Sequence, residues 1–122
     1  MIATGHAPHT DFEKNLDFGQ SPFGVTGLET ALPAIYTQLI KPGKLNWAQL
    51  VQAMSHAPRK LLKMNPPFLT EGSFFEAFLF DTQGKTPITR ETLCSKSYNS
   101  PWLGETLEGN IEQMFIGGVK IL

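Results

Sequence analysis

Two histidines and an acidic residue lie close together near the start of the chain. His6 and His9 are three residues apart, and Asp11 follows two residues after the second histidine. Imidazole nitrogens are good zinc ligands, and a carboxylate can complete a three-ligand catalytic site. Pro8 breaks any helix that would place both rings on one face, so the alternative is a loop in which the histidines bond to backbone groups. On spacing alone, both interpretations stay open.

A rigid stretch leads into the clearest helix of the chain. Residues 21–30 read Ser-Pro-Phe-Gly-Val-Thr-Gly-Leu-Glu-Thr. Free backbone N–H groups at a helix N-terminus can hold a carboxylate or another anion. The alternative is an ordinary helix start, in which Thr26 and Glu29 form a capping box. Glu29 also has the chemistry of a general base, although the capping role already accounts for it.

A third polar stretch lies at residues 95–104, and its Asn-Ser-Pro sequence at residues 99–101 is typical of a turn. Lys96 either binds an anion or is a solvated loop lysine. Cys94 has no base beside it, which favours an inert thiol over a nucleophile. As the single cysteine of the chain, it cannot form an internal disulfide.

The composition describes one small domain that can bury a core. The chain has 122 residues, of which 41% are hydrophobic, and 10 basic and 11 acidic side chains give a net charge of -1. That balance does not favour nucleic acid or an anionic membrane as a partner. No apolar run approaches the roughly 20 residues of a membrane helix, and residues 1–10 do not resemble a signal peptide. We therefore expect a cytoplasmic protein.

The segment before the first helix has little periodicity. Residues 1–4 are mostly apolar and fit a short buried strand. Residues 5–27 carry several prolines and glycines and are expected to form a long loop. A loop of this length inside a compact domain is usually functional or disordered.

Helices are expected in the first half of the chain. Apolar residues in 27–40 recur at spacings of three and four, which predicts a helix, and Pro33 is expected to kink it. A second helix is expected to start at Asn46. A short third helix is predicted over residues 59–64, with Pro58 in its first turn.

Strands are expected in the second half. Residues 73–80 are aromatic-rich and strand-like, residues 81–84 resemble a turn, and residues 86–109 are irregular. Two apolar runs on either side of Gly117-Gly118 predict a β-hairpin. Pro66-Pro67 is expected to end the last helix, which places the boundary between the two halves near residues 66–72.

Taken together, these stretches resemble the class I dihydroorotases. That family carries a Thr-Asp-His-Ala-Pro-His motif at the end of its eighth barrel strand, where residues 4–9 read Thr-Gly-His-Ala-Pro-His. An acid-and-lysine stretch follows, matched by residues 11–14. A Pro-Phe-Gly loop and a Gly-Leu-Glu-Thr-Ala helix start are matched by residues 22–24 and 27–31. A Ser-Lys-Ser/Cys-x-Asn-Ser-Pro-Phe segment is matched by residues 95–102, so the resemblance covers nearly the whole chain.

The resemblance implies a fold and a reaction. The fold is α/β, with the last strand and helices of a metal-dependent-hydrolase (β/α)8 barrel over residues 1–66 and strands of a small β-sandwich over residues 67–122. The reaction is the zinc-dependent interconversion of carbamoyl aspartate and dihydroorotate in pyrimidine biosynthesis. By the same resemblance, His9 matches a residue that binds the substrate carboxylate. Pro22 and Gly24 match a loop whose backbone contacts the substrate ring.

Gly5 stands where the family keeps the catalytic aspartate that touches the metal and carries the proton. Glycine can do neither, and the family's other zinc ligands precede the part that this chain matches, so no tight zinc binding is expected. We therefore expect a dihydroorotase-like fragment or degenerate copy that is inactive alone. The alternatives are a non-catalytic scaffold that binds aspartate transcarbamoylase, and the C-terminal half of a split enzyme completed by a separate N-terminal barrel chain.

Overall fold

The computed structural model describes residues 1–65, 69–73 and 75–122 of the chain. Short helices come first and an antiparallel sheet follows, which confirms the expected order of helices and strands. The helical elements are α1 (Asp11–Lys14), α2 (Ala31–Ile35), α3 (Trp47–Val51) and α4 (Ala57–Leu61). Two π-helical stretches, Tyr36–Ile40 and Gln52–His56, follow α2 and α3. The strands are β1 (Ala77–Pro87), β2 (Thr106–Ile116) and β3 (Val119–Lys120).

The first long helix begins later than its apolar pattern predicts. Thr30, not Thr26, precedes its first residue, and no side chain caps it. The predicted capping box is therefore wrong, because the Glu29 carboxylate instead accepts hydrogen bonds from the backbone of Cys94 and Ser95. Pro33 lies in the first turn rather than in the interior, where the missing N–H removes no helical hydrogen bond.

The second long helix begins where it was predicted. The Asn46 side chain accepts from the backbone N–H of Gln49 and the Gln49 side chain accepts from that of Asn46, both at 2.9 Å. This reciprocal pair is a capping box. Helical structure then continues to Leu61, and Pro58 lies in the first turn of α4 as expected. The predicted helix stop at Pro66-Pro67 lies outside the described residues, and the division near residues 66–72 stays a prediction.

Residues 1–4 do not form the predicted strand. The Ile2 N–H donates to the carbonyl of Ala53 at 3.0 Å, and His6 forms an isolated parallel bridge with Val25. A strand needs a neighbouring strand to pair its backbone groups, and helical and loop segments take that place here. The following segment is also not a continuous loop, because it contains the one-turn helix α1.

The sheet has the order β1-β2-β3, and both strand pairs are antiparallel. The predicted turn at residues 81–84 is wrong, since the pairing of β1 with β2 continues on both sides of a register shift between Asp81 and Lys85. The Gln83 N–H donates to the Asp81 carboxylate at 2.8 Å, so local turn chemistry forms a bulge within the strand. The hairpin across Gly117-Gly118 is confirmed as the β2–β3 connection.

Two small apolar clusters join the helices to the sheet. Ile88, Leu93 and Leu107 are buried together. The rings of Tyr36, Trp47 and Phe80 meet with centroids 5.2 to 5.7 Å apart. No helix in the described part of the chain is long and apolar enough to cross a membrane.

Candidate functional site

The three polar stretches singled out in the sequence meet in the structure. The Ala7 N–H donates to the Val25 carbonyl at 2.9 Å, and the Thr26 N–H donates to the Asn99 carbonyl at 3.3 Å. The Asn99 side-chain amide donates to the carbonyls of Ala7 at 3.4 Å and Gly24 at 3.3 Å. Residues 4–9, 22–28 and 94–99 therefore form one hydrogen-bonded assembly, which we call the loop cluster.

His6 is a structural member of the loop cluster. Its Nδ1 accepts hydrogen bonds from the backbone N–H groups of Gly27 at 3.1 Å and Leu28 at 3.4 Å. These N–H groups belong to the stretch in which the sequence predicted a possible anion site. The imidazole of His6 takes the place of such an anion. The Nδ1 lone pair is also engaged and does not point freely at a metal ion. The structure thus favours the loop interpretation of this histidine.

His9 is bonded to the neighbouring loop. Its Nε2 lies 3.0 Å from the Phe23 carbonyl oxygen, which accepts only if Nε2 carries the proton. In that tautomer Nδ1 is an acceptor.

The described residues do not fit a zinc centre by themselves. No group of three or more His, Cys, Asp or Glu side chains in residues 1–65, 69–73 and 75–122 is placed to hold a metal ion. His6 and His9 both bond to backbone groups instead. Asp11 lies in the first turn of α1 and is exposed.

Gly5, which the sequence resemblance matches to an aspartate, lies at an open position. Gly5 has φ +57°, and a Cβ built on it meets no heavy atom within 4 Å. The residue is exposed, so there is space for a longer side chain.

A lysine side chain holds the loop at residues 22–24 through two hydrogen bonds. Lys14 Nζ donates to the carbonyls of Pro22 at 3.0 Å and Gly24 at 3.2 Å, while the Phe23 side chain is 93% exposed. Gly24 has φ +104°, and a Cβ there would lie 2.5 Å from the Cβ of Ala7. The close approach of the two loops therefore requires glycine.

Two residues of this arrangement were missed by sequence reasoning. Lys14 was matched only as part of an acid-and-lysine stretch, and Asn99 only as turn chemistry and as part of the segment at residues 95–102. Both act on backbone carbonyls of distant residues, and such acceptors leave no side-chain pattern in the sequence. Glu29 was interpreted as a helix cap, but its carboxylate accepts from the backbone N–H groups of Cys94 at 2.7 Å and Ser95 at 3.0 Å. Lys96 and Cys94 are exposed.

The helix that carries Lys14 has its own cap. The backbone N–H and the hydroxyl of Thr10 both donate to the Glu13 carboxylate at 2.8 Å, and the Glu13 N–H donates to the Thr10 hydroxyl at 3.2 Å. The backbone hydrogen bond from Thr10, then its side-chain hydrogen bond, and lastly the nearby His9 lower the pKa of the Glu13 carboxyl below 4.5.

This cap gives α1 a defined pH dependence. Because the folded-state pKa of Glu13 is depressed, the cap stabilises α1 fully above the unfolded-state pKa and is lost as pH falls through the folded-state value. We expect helical ¹³C shifts of residues 11–14 to persist at neutral pH and to decline only below pH 4.5. Glu13→Gln should remove this step, and loss of the shifts above pH 4.5 in the unsubstituted chain would contradict the assignment.

Comparison with known proteins finds curated relatives named dihydroorotase. No family model matches the chain. The dihydroorotase of Elusimicrobium minutum is 41% identical over 117 residues, which are 96% of this chain and 27% of that protein. That of Trichlorobacter lovleyi is 39% identical over 117 residues, with the same coverage, and that of Carboxydothermus hydrogenoformans is 38% identical over 110 residues, 89% of this chain and 26% of the relative. The chain thus spans about a quarter of the length of the curated relatives it matches.

Proposed function

Because the chain belongs to the dihydroorotase family, whose C-terminal part it matches, we propose that it supplies the substrate-binding side of a dihydroorotase-type site. The ligand would be dihydroorotate or carbamoyl aspartate. In this proposal the chain holds the substrate but does not interconvert the two compounds by itself.

The loop cluster is the observation that carries the proposal. His9 Nε2 donates to the Phe23 carbonyl at 3.0 Å, and Lys14 and Asn99 both hold the Gly24 carbonyl. The loop of residues 22–24 is therefore fixed against residues 4–9 by several hydrogen bonds. Such preorganisation lowers the entropic cost of binding a small ligand.

Two features support the absence of catalysis. Gly5 offers no group that can carry a proton, and loss of a general base alone typically costs about 10²–10⁴ in rate. Zinc supplies the nucleophilic hydroxide and polarises the carbonyl in metal-dependent hydrolysis. Because the described residues do not fit a zinc centre, the proposal assigns this chain binding and positioning and no bond-breaking step.

We propose a corresponding origin for the fold. Residues 1–66 would correspond to the last strand and helices of a (β/α)8 barrel, and residues 67–122 to strands of a small β-sandwich. Trp47 and Val51 on α3 and Leu61 on α4 support this, since their side chains are 41%, 46% and 68% exposed. Apolar helix faces of this kind are normally covered by a sheet, which a separate N-terminal barrel chain would provide in a split enzyme.

One observation also fits a second function. The missing carboxylate at Gly5 would suit a non-catalytic scaffold that binds aspartate transcarbamoylase. Co-purification of the chain with that enzyme would support the scaffold function. If the enzyme does not co-purify with the chain, the substrate-binding role is favoured.

Calorimetry and a rate assay with the same purified chain test the proposal together. We expect L-dihydroorotate to bind, and we expect no production of carbamoyl aspartate above the uncatalysed rate, with or without added zinc. Zinc-dependent turnover by the chain alone would overturn the proposed lack of catalysis. Absence of binding would overturn the proposed substrate-binding role.

A further inference from the structure

Two polar side chains from distant parts of the sequence meet at one carbonyl group. Lys14 Nζ lies 3.2 Å and Asn99 Nδ2 lies 3.3 Å from the Gly24 oxygen. A carbonyl oxygen has two lone pairs, so these two donors use its full capacity. We infer that Lys14 and Asn99 are positioning residues that fix the loop of residues 22–24 for the substrate, an inference that rests on the proposed function.

Lys14 acts on both ends of the loop. Its ammonium donates to the Pro22 carbonyl at 3.0 Å as well as to that of Gly24, so one cation bridges the two sides of Phe23. Hydrogen bonds from a charged donor are stronger than those between neutral groups. The capping box at the start of α1 fixes the one-turn helix that ends in Lys14.

The hydrogen bonds of Lys14 and His9 together determine where the N–H groups of this loop point. In a planar trans peptide the N–H points opposite to the C=O of the same unit. Holding the Pro22 oxygen toward Lys14 directs the Phe23 N–H away from it, and holding the Phe23 oxygen toward His9 directs the Gly24 N–H away from that ring. Neither N–H has a hydrogen-bond partner within the described residues, so both are available to acceptor oxygens of a ligand.

Asn99 ties this loop to the histidine-containing segment. Its amide donates to the carbonyls of Ala7 and Gly24, and its Oδ1 accepts from the buried Ser97 hydroxyl at 2.6 Å. The hydroxyl therefore fixes which end of the amide faces the two carbonyls. A carboxylate at this position would face two carbonyl oxygens with no proton to donate.

Loop-specific proteolysis tests the inference. Chymotrypsin cleavage at the exposed Phe23 side chain is compared with cleavage after Phe78 in β1, which reports general unfolding. Loss of one or two hydrogen bonds predicts a rise of about tenfold in this ratio for Lys14→Met and for Asn99→Asp. Lys14→Arg retains a charged donor and should restore a ratio close to that of the unsubstituted chain.

Matched control variants test whether the effect depends on the position of the residue or only on the type of substitution. Lys44→Met and Asn15→Asp make the same changes at exposed residues whose side chains carry no hydrogen bond in the described part of the chain, and should leave the ratio unchanged. The dissociation constant for L-dihydroorotate should rise about tenfold in Lys14→Met and recover in Lys14→Arg.

The outcomes are distinguishable. An unchanged cleavage ratio in Lys14→Met and Asn99→Asp, or a Lys14→Arg variant that behaves like Lys14→Met, overturns the positioning role. A raised ratio in a chain that binds no dihydroorotate overturns the proposed function and leaves the loop-fixing contacts of Lys14 and Asn99 established.

Discussion

Gly24→Ala is expected to destabilise the chain by about 2–5 kcal/mol. Its Cβ would lie 2.5 Å from the Ala7 Cβ, and the backbone has φ +104°. Overpacking typically costs about 1–3 kcal/mol, and the left-handed conformation adds about 1–2 kcal/mol. The two loops would have to separate, which would also break the hydrogen bonds of Asn99 to Ala7 and Gly24.

Gly5→Ala is the matched control for that substitution. Gly5 also has a positive φ, but its Cβ would meet no heavy atom within 4 Å. Only the conformational cost of about 1–2 kcal/mol applies. Urea unfolding followed by tryptophan fluorescence measures both variants. Equal losses of stability would show that the contact with Ala7 does not constrain the loop.

Gly5→Asp is expected to raise the rate of an assembled enzyme by about 10²–10⁴. The assembly would combine this chain with the N-terminal part of a dihydroorotase, which would provide the metal ligands. The site has room for the new side chain, and aspartate is among the residues that tolerate a left-handed backbone. In the chain alone, the same substitution should produce no activity, because His6 and His9 bond to backbone groups and the N-terminal part would provide the metal ligands.

Gly5→Asn distinguishes the chemical effect of the carboxylate from the effect of side-chain size. Asparagine has nearly the same size and similar backbone tolerance but does not exchange a proton at neutral pH. Its rate in the assembly should stay near that of the glycine form. If Asp and Asn have equal effects, or if neither raises the rate, the role given to position 5 is wrong.

Local signals predicted the parts of the fold that depend on neighbouring residues. The helix start at Asn46 was predicted and its cap uses Gln49, three residues away. The hairpin across Gly117-Gly118 depends equally on adjacent residues. The cap assigned to Thr26 and Glu29 failed because the carboxylate bonds to backbone groups 65 and 66 residues away. A local sequence pattern cannot predict that a distant backbone group competes with a helix cap for the same carboxylate.

The residues of the candidate site divide in the same way, into those that a local motif predicts and those that depend on distant contacts. Motif matching predicted a substrate-binding role for His9, Pro22 and Gly24, which stays a prediction, and the structure places all three residues in the loop cluster. Motif matching did not identify Lys14 or Asn99 as the residues that hold the loop, because their hydrogen-bond acceptors are backbone carbonyl groups, which every residue carries. The strand predicted for residues 1–4 failed for a related reason, since a strand is defined by its partner rather than by its own sequence.

We propose that the chain binds the substrate through its loop cluster without converting it. The most direct measurement is an NMR titration of the ¹⁵N-labelled chain with L-dihydroorotate, in which the ligand signals report turnover in the same sample. The amides of Phe23 and Gly24 should shift while dihydroorotate stays unchanged. Unshifted amides at these two residues, or the appearance of carbamoyl aspartate, would contradict the claim.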